Sequence, residues 1–314
     1  MSRLWLRMRW ATRWIFPKLM KVFPRKEIAV HNHTKLLSWK VFVTPGVATV
    51  PDDLPPGEAV RMWSPISSTL IYGERDAVLV DAPTTVEQAE ALADWVVDSG
   101  KNLTTIYVTH GHGDHFFGIG TLQDRFPTAR AIATAGVLEL MHRQVSPAVM
   151  EGLWNKRFPG QIPERLVMAE LLESDTFNLE GHDLVAVEVG HTDTDDTTCL
   201  YVPSIGLLVA GDVAYNDVHQ YLTECRTHES RLEWIAALDK VEALNPGAVI
   251  AGHKRVGNDD SPRIIEETRQ YIRDFDRLVE GTATSRELYD RMLDLYPNRV
   301  NRGALWGSAR AIKG

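Results

Sequence analysis

Short apolar segments alternate with longer segments of helical periodicity along most of the chain. We predict strands where β-branched and apolar residues are bounded by turn residues, and helices where apolar residues recur every three or four positions. The predicted strands are residues 39–44, 69–72, 77–81, 105–109, 129–133, 184–189, 198–202, 206–210 and 248–251. The predicted helices are residues 86–97, 136–143, 165–172, 231–243, 262–278 and 285–295. Strands followed by helices along the whole chain predict a layered α/β architecture.

The composition is close to that of an average soluble globular protein, with 44% hydrophobic and 24% charged residues among 314. This length suits one large domain with an accessory segment, or two small domains. The net charge of −8 argues against a general nucleic-acid binder, which needs a basic face to displace counterions, so we predict no nucleic-acid partner. Two cysteines are too few for a disulfide framework and suit a reducing compartment, which predicts a cytoplasmic protein.

The N-terminal segment differs from the rest of the chain in charge. Residues 1–26 carry eight Lys and Arg residues and no acidic residue, interspersed with tryptophans and other apolar residues. The segment lacks an uninterrupted apolar run of about 18 residues, so we do not predict a membrane span. It is predicted either to pack on the acidic body or a partner subunit of a homodimer, or to contact an anionic membrane surface. Charge complementarity with the acidic remainder favours the packed arm.

The segment Thr109-His110-Gly111-His112-Gly113-Asp114-His115 carries the strongest chemical signal. Four metal-type ligands occur within six positions directly after a predicted buried strand. Imidazole nitrogens and a carboxylate oxygen suit zinc, and the glycines allow a tight loop that turns several side chains toward one point. A purely structural role for these four residues is a poor explanation, because clustered polar side chains destabilise the fold unless a ligand such as a metal ion binds them.

Three further candidate ligands follow later strands in the same manner. His191 follows the strand at 184, Asp212 the strand at 206, and His253 the strand at 248, each after a glycine. Any one of them alone would more often be a surface or hydrogen-bonded residue. Together with the first cluster they predict one metal site built from the ends of several strands.

The ordered set of these ligands resembles the metallo-β-lactamase superfamily of hydrolases. The motifs run from about residue 81 to His253. The resemblance implies a four-layer αβ/βα sandwich with the metals at one edge. It implies a first metal held by His110, His112 and His191, a second held by Asp114, His115 and His253, and Asp212 bridging both. Asp81 matches an early aspartate that supports the metal loop in this family; a simple turn role is equally compatible with its position.

Such a ligand set predicts catalysis rather than a structural metal. Seven ligands shared by two cations leave coordination positions open. Two zinc ions that share a water can lower its pKa from about 15.7 toward neutrality, and Asp114 can hold or relay a proton. We therefore predict two zinc ions per chain; iron, manganese or cobalt are also compatible with these ligand types.

Differences between this chain and other members of the family narrow the range of expected reactions. β-Lactamases of the two-zinc type commonly carry cysteine at the position of Asp212 and a lysine three residues later, where this chain has Tyr215. The spacing from Asp212 to Tyr215 resembles the acyl-homoserine lactonases. In those enzymes a tyrosine at this offset points at the substrate carbonyl, which implies a catalytic role for Tyr215. A tyrosine packed below the metal site is an equal alternative.

These observations predict a hydrolase of a small-molecule lactone or ester. The alternatives are a thioesterase of the hydroxyacylglutathione-hydrolase type, a β-lactamase-like amidase and, from another class, a metal-binding redox module without turnover. The predicted organisation is an N-terminal arm (1–38), the hydrolase domain (39–280), and a C-terminal helix and tail (281–314). Residues 135–175 are a candidate substrate cover, whose apolar side chains are either a substrate wall or ordinary core. Those side chains are Met141, Met150, Trp154 and Phe158.

Overall fold

The computed structural model describes residues 36–314, so nearly all of the predicted N-terminal arm lies outside the described residues. Its strands are β1 (Ser38–Thr44), β2 (Ala48–Thr49), β3 (Arg61–Met62), β4 (Ile66–Tyr72), β5 (Asp76–Val80), β6 (Asn102–Tyr107), β7 (Arg130–Ala133), β8 (Glu170–Leu171), β9 (Thr176–Leu179), β10 (His182–Gly190), β11 (Thr197–Val202), β12 (Leu207–Asn216) and β13 (Ala248–Lys254). Its helices are α1 (Val86–Asp98), α2 (Ile119–Arg125), α3 (Ala135–Gln144), α4 (Pro147–Val149), α5 (Asn155–Arg157), α6 (His228–Glu242), α7 (Arg263–Gly281), α8 (Ser285–Leu295) and α9 (Arg302–Lys313). A π-helical turn, Met150–Trp154, joins α4 to α5.

Two mixed sheets form the centre of the molecule. The first has the strand order β1-β4-β5-β6-β7-β8, and the second has the order β13-β12-β11-β10-β9. The strands from β5 to β8 pair in parallel, as do β12 and β13, whereas the remaining pairs in these sheets are antiparallel. Strands β2 and β3 form a separate antiparallel ribbon.

Both faces of each sheet are apolar, so three cores separate four layers of sheets and helices. One core lies between the two sheets and contains Val80, Leu184 and Leu200, all buried. A second core packs the outer face of the first sheet against α1, α2 and α3, and a third packs the outer face of the second sheet against α6 to α9. A central strand that is buried on both faces begins as a continuous apolar run, as at residues 207–210 of β12. The arrangement confirms the predicted four-layer αβ/βα sandwich.

Two predictions about local structure need correction. The helix predicted at 165–172 is absent: β8 lies there and pairs in parallel with β7. Leu166, Val167 and Met168 are apolar because they pack on the core of the first sheet, not because they share a helical face. The segment predicted as a tail contains α9, which begins where the Asn301 side chain accepts a hydrogen bond from the Ala304 N–H (3.1 Å).

Among the described residues, no helix combines the length and the apolar character needed to cross a bilayer.

Candidate metal centre

The loop after β6 delivers four of the predicted ligands. His110 and His112 precede a short 3-10 turn, Gly113–His115, that carries Asp114 and His115. The two glycines are required by close packing, since a Cβ at Gly111 would overlap Leu140 and one at Gly113 would overlap the ring of Phe117. The tight loop predicted from the glycine spacing is therefore what the structure has.

A first cluster of ligand atoms consists of His110, His112 and Asp193. The Oδ2 atom of Asp193 lies 2.9 Å from His112 Nδ1 and 3.7 Å from His110 Nε2. His110 and Asp193 are completely buried. Asp193 is a residue that the sequence analysis did not select, because nothing in the sequence distinguishes it from the neighbouring Asp195 and Asp196.

A second cluster consists of Asp114, His115 and His253, with Asp212 beside it. Asp212 Oδ1 lies 3.4 Å from His115 Nε2, and its Oδ2 lies 3.1 Å from His253 Nε2. His110, His115 and Asp212 also form a group of converging ligand atoms, so Asp212 lies between the two clusters. Asp212 and His253 lie within β12 and β13, whereas the sequence predicted that they follow the strands. Register shifts between β12 and β13, around Gly211, accompany this placement.

His191 is the predicted ligand that the structure does not bring into either cluster. Its Nδ1 is 2.7 Å from Asp195 Oδ1, and its Nε2 is 3.5 Å from Cys225 Sγ. The other six predicted metal ligands converge: His110, His112, Asp114, His115, Asp212 and His253.

The buried ligand atoms fit metal ions because several have no other partner. His110 Nε2, His115 Nε2, Asp193 Oδ2 and Asp212 Oδ1 are inaccessible to solvent and lack a hydrogen bond of acceptable geometry. Each such buried, unpaired group costs about 1–3 kcal/mol, more when it is charged. Nitrogen and oxygen donors within 4.8 Å of one another are the ligand set that divalent metals such as zinc accept.

The pKa values of the buried ligands also indicate that the centre attracts positive charge. Burial and the neighbouring His115 lower the pKa of His110 well below its ordinary value, so its imidazole is a neutral donor. Burial opposes protonation of His115, but the carboxylates of Asp212 and Asp81 outweigh it and raise the pKa of His115 to about 10. Burial likewise opposes ionisation of Asp212, yet His253 and His115 hold its pKa well below the usual range. Without metal ions, protons supply the positive charge that these carboxylates attract.

Each ligand histidine has a partner on its other ring nitrogen. His115 Nδ1 lies 2.9 Å from Asp81 Oδ2, and Asp81 also accepts hydrogen bonds from the Thr109 N–H (2.9 Å) and hydroxyl (2.8 Å). Asp81 therefore supports the metal loop, which is the role that the resemblance implied. His112 Nε2 lies 3.0 Å from Glu224 Oε1, and His253 Nδ1 lies 2.9 Å from the Pro65 carbonyl. Such contacts fix the orientation of metal-binding imidazoles.

A cleft opens above the two clusters. Its lining includes His112, Asp114, Asp193, Asp212 and His253. An apolar wall is formed by Met62, Trp63, Leu153, Trp154 and Ala304, and polar groups come from Arg61, Gln144, Glu224 and Asn301. The Trp63 indole donates a hydrogen bond to Asp114 Oδ2 (2.8 Å). No sequence pattern marks Trp63, Arg61 or Asn301 as part of the site, because these residues reach the cleft only through the tertiary fold.

Tyr215 lies behind Asp212 and does not line the cleft. Its side chain is completely buried, and its hydroxyl donates a hydrogen bond to Asp212 Oδ2 (2.6 Å). This geometry favours the alternative of a tyrosine packed below the metal site over direct contact with substrate. Tyr215 orients Asp212.

The candidate cover, residues 135–175, contributes mainly to the core. Met141 and Phe158 are completely buried and Met150 packs against the same core. Of the four apolar side chains selected from the sequence, Trp154 is the one that lines the cleft. Its ring packs on Trp63 and Phe117, with centroid distances of 5.6 and 4.9 Å.

Comparison with known proteins agrees with this geometry. The family model of the metallo-beta-lactamase superfamily matches residues 61–253. A metallo-beta-lactamase type 2 from Bacteroides fragilis is 24% identical over 222 residues, which is 70% of this chain and 78% of that protein. A metallo-beta-lactamase family protein from Thermus thermophilus superposes with a TM-score of 0.59 at 19% identity, covering 86% of this chain and 91% of its own. A metallo-beta-lactamase from Pontibacter korlensis superposes with a TM-score of 0.54 at 16% identity, covering 76% and 100%. The chain belongs to the metallo-beta-lactamase superfamily of metal-dependent hydrolases.

Proposed function

We propose that the protein is a dinuclear zinc hydrolase that cleaves a lactone or an uncharged carboxylic ester. The observation that carries the proposal is the position of the two ligand clusters. Both border one cleft, whose lining also includes the apolar side chains of Trp63 and Trp154. Two divalent ions bound there would supply Lewis-acid activation of a water molecule and of the substrate carbonyl.

The side chains around the clusters support acid–base work at the same place. Asp114 lies at the cleft, 3.7 Å from His253 Nε2, with its Oδ2 held by the Trp63 indole N–H. A carboxylate in this position can accept a proton from the attacking water and return it to the leaving alcohol. The hydrogen bond from Trp63 holds that carboxylate in one orientation. Less conformational entropy is therefore lost when the carboxylate reaches the reactive geometry.

The charges of the cleft favour an uncharged substrate. Three carboxylates of the centre and Glu224 face the cleft. Apart from histidines, Arg61 is the one basic residue among the described residues of the lining. Its guanidinium donates to the Gly303 carbonyl (2.9 Å) and lies 3.3 Å from Asp53 Oδ1. Among the described residues an anionic drug or peptide would therefore meet no uncommitted basic side chain in this cleft, which argues against β-lactams as the main substrates.

The test is a substrate panel on the zinc-loaded full-length chain. Lactones, aryl and alkyl esters, a glutathione thioester and β-lactams would be compared by kcat/KM, with the Asp212→Ala variant as the control for metal-dependent turnover. We expect lactones or neutral esters to be the best substrates, and Asp212→Ala to lose activity and metal while retaining its circular dichroism spectrum. A thioester or β-lactam as the best substrate would overturn the proposed specificity. Bound iron with no turnover of any member would indicate redox chemistry instead.

A further inference from the structure

We infer that Asp193, and not His191, is the third protein ligand of the first metal site. That site then consists of two histidines and one carboxylate. The inference concerns which atoms hold the metal, so it does not depend on the ester or lactone specificity proposed above.

The atoms of the first cluster face one another with the geometry of ligands around a cation. His112 Nε2 lies 3.0 Å from Glu224 Oε1, which can accept the Nε2 proton and leave Nδ1 to bind a metal. Nδ1 lies 2.9 Å from Asp193 Oδ2, and His110 Nε2 lies 3.7 Å from the same oxygen. Neither His110 Nε2 nor Asp193 Oδ2 has a hydrogen bond of acceptable geometry. Three donor atoms that meet at one buried point, two of them without a hydrogen bond, suit a metal ion.

The backbone after β10 presents Asp193 rather than His191 to the site. Gly190 ends the strand in a left-handed conformation (φ 94°), and the Thr192 N–H then donates to the Thr194 carbonyl (2.8 Å). This turn carries Asp193 inward, where its side chain is completely buried. The hydroxyl of Thr192 bonds the other carboxylate oxygen, Oδ1, at 2.9 Å, which leaves Oδ2 directed at the two histidines.

His191 is held in a different position by contacts of its own. Both ring nitrogens have neighbours outside the metal centre, Asp195 Oδ1 at 2.7 Å and Cys225 Sγ at 3.5 Å. Cys225 is fixed in turn, since its thiol donates to the Thr192 carbonyl (2.8 Å). His191 therefore lies beside the turn that carries Asp193, with its ring nitrogens directed away from the metal centre.

The exchange of an imidazole for a carboxylate changes the metal that the site prefers. The centre would hold three carboxylates, Asp114, Asp193 and Asp212. Three carboxylates neutralise more of the charge of two divalent ions than two carboxylates would. Oxygen ligands suit manganese, and two histidines with one carboxylate are the ligands of many ferrous sites, whereas imidazole suits zinc. We therefore expect the first site to accept manganese or ferrous iron more readily than a three-histidine site would.

Metal content distinguishes the two candidate ligands without reference to activity. The full-length chain and the variants Asp193→Ala and His191→Ala would be loaded with zinc, dialysed and measured by inductively coupled plasma mass spectrometry. We expect about two zinc ions per chain in the parent protein and in His191→Ala, and about one in Asp193→Ala, because only the latter loses a first-site ligand. Loss of a metal from His191→Ala, with or without loss from Asp193→Ala, would overturn the assignment.

A second measurement covers the case in which Asp193→Ala fails to fold. The Asp193→His variant restores a three-histidine site, and competition between manganese and zinc would be followed by the electron paramagnetic resonance signal of bound manganese. We expect its preference for manganese over zinc to be weaker than that of the parent by about tenfold. An unchanged preference would contradict the role of Asp193. In crystals of the zinc-loaded parent, a metal at about 2.0–2.2 Å from an Asp193 oxygen is expected, and a metal on His191 instead would refute it.

Discussion

The carboxylate of Asp81 and the imidazole of His115 lie 2.9 Å apart, Oδ2 to Nδ1, behind the second ligand cluster. Both side chains are buried, and Asp81 occupies a left-handed backbone conformation (φ 63°) that directs its carboxylate back toward the loop of residues 109–115. The pair determines which nitrogen of His115 faces the metal site, because Nδ1 is used by Asp81 and Nε2 remains free.

We expect Asp81→Asn to weaken metal binding without removing a ligand. The amide would turn an N–H group toward either His115 or the Thr109 hydroxyl, so the orientation of the imidazole is lost. Loss of such a supporting contact lowers metal affinity by about 10- to 100-fold. Competition with a chromophoric chelator would measure this, with Asp98→Asn on the exposed end of α1 as the matched control. Equal affinities in the parent and in Asp81→Asn would show that Asp81 serves only the turn.

Tyr215→Phe separates support of Asp212 from contact with substrate. Removing the hydroxyl takes away the 2.6 Å hydrogen bond that it donates to Asp212 Oδ2, so we expect the free energy of unfolding to fall by about 1–3 kcal/mol. Because Tyr215 does not line the cleft, KM for a small ester should change by less than about twofold. Urea unfolding and steady-state kinetics of the zinc-loaded variant would measure both quantities. A large increase in KM with unchanged stability would instead place the phenol against the substrate.

Trp154 is expected to select substrates by size. It lines the cleft and packs on Trp63 and Phe117, so replacing it with the smaller Phe widens the cleft and removes its hydrogen bond to Gln144. We expect Trp154→Phe to change the ratio of kcat/KM between bulky and small acyl esters while metal content stays the same. Trp95→Phe is the matched control, because Trp95 packs on Phe42 away from the cleft. Identical ratios in the two variants would remove Trp154 from the substrate site.

Glu180 ties the two sheets together in a way that depends on pH. Its carboxylate accepts hydrogen bonds from the backbone N–H groups of Glu74, Arg75 and Asp76, each at 2.7 Å, and these bonds lower the pKa of Glu180 to about 2. A pKa depressed in the folded state stabilises the protein above the ordinary value near 4.5, and this contribution is lost as the pH falls toward 2.

Glu180→Gln should therefore be less stable than the parent at pH 7, by about 1 kcal/mol after allowance for solvent screening. The difference should shrink as the pH is lowered from about 5 toward about 3, because the parent loses the contribution of its carboxylate there. Urea unfolding at several pH values would measure it, with Glu173→Gln at a nearby exposed position as the control. A stability difference that is independent of pH would show that the charge of Glu180 contributes nothing.

The sequence was sufficient for the parts of the site that depend on short-range pattern. The order of strand and ligand predicted the convergence of His110, Asp212 and His253, which come from both sheets and meet at one edge of the sandwich. It could not select Asp193, since a turn only two residues after His191 decides which side chain points inward. Trp63 could not be found either: its contact with Asp114 joins residues 51 positions apart, across elements whose packing the sequence pattern does not specify.

Helix α9 gives the cleft a wall from the far end of the chain. Asn301, Gly303, Ala304 and Gly307 border the cleft that holds the ligands of the 110–115 loop. None of the predicted metal ligands lies on this helix. Docking of the last helix therefore completes the surface that selects a substrate, whereas the metal ligands are supplied entirely by earlier parts of the chain.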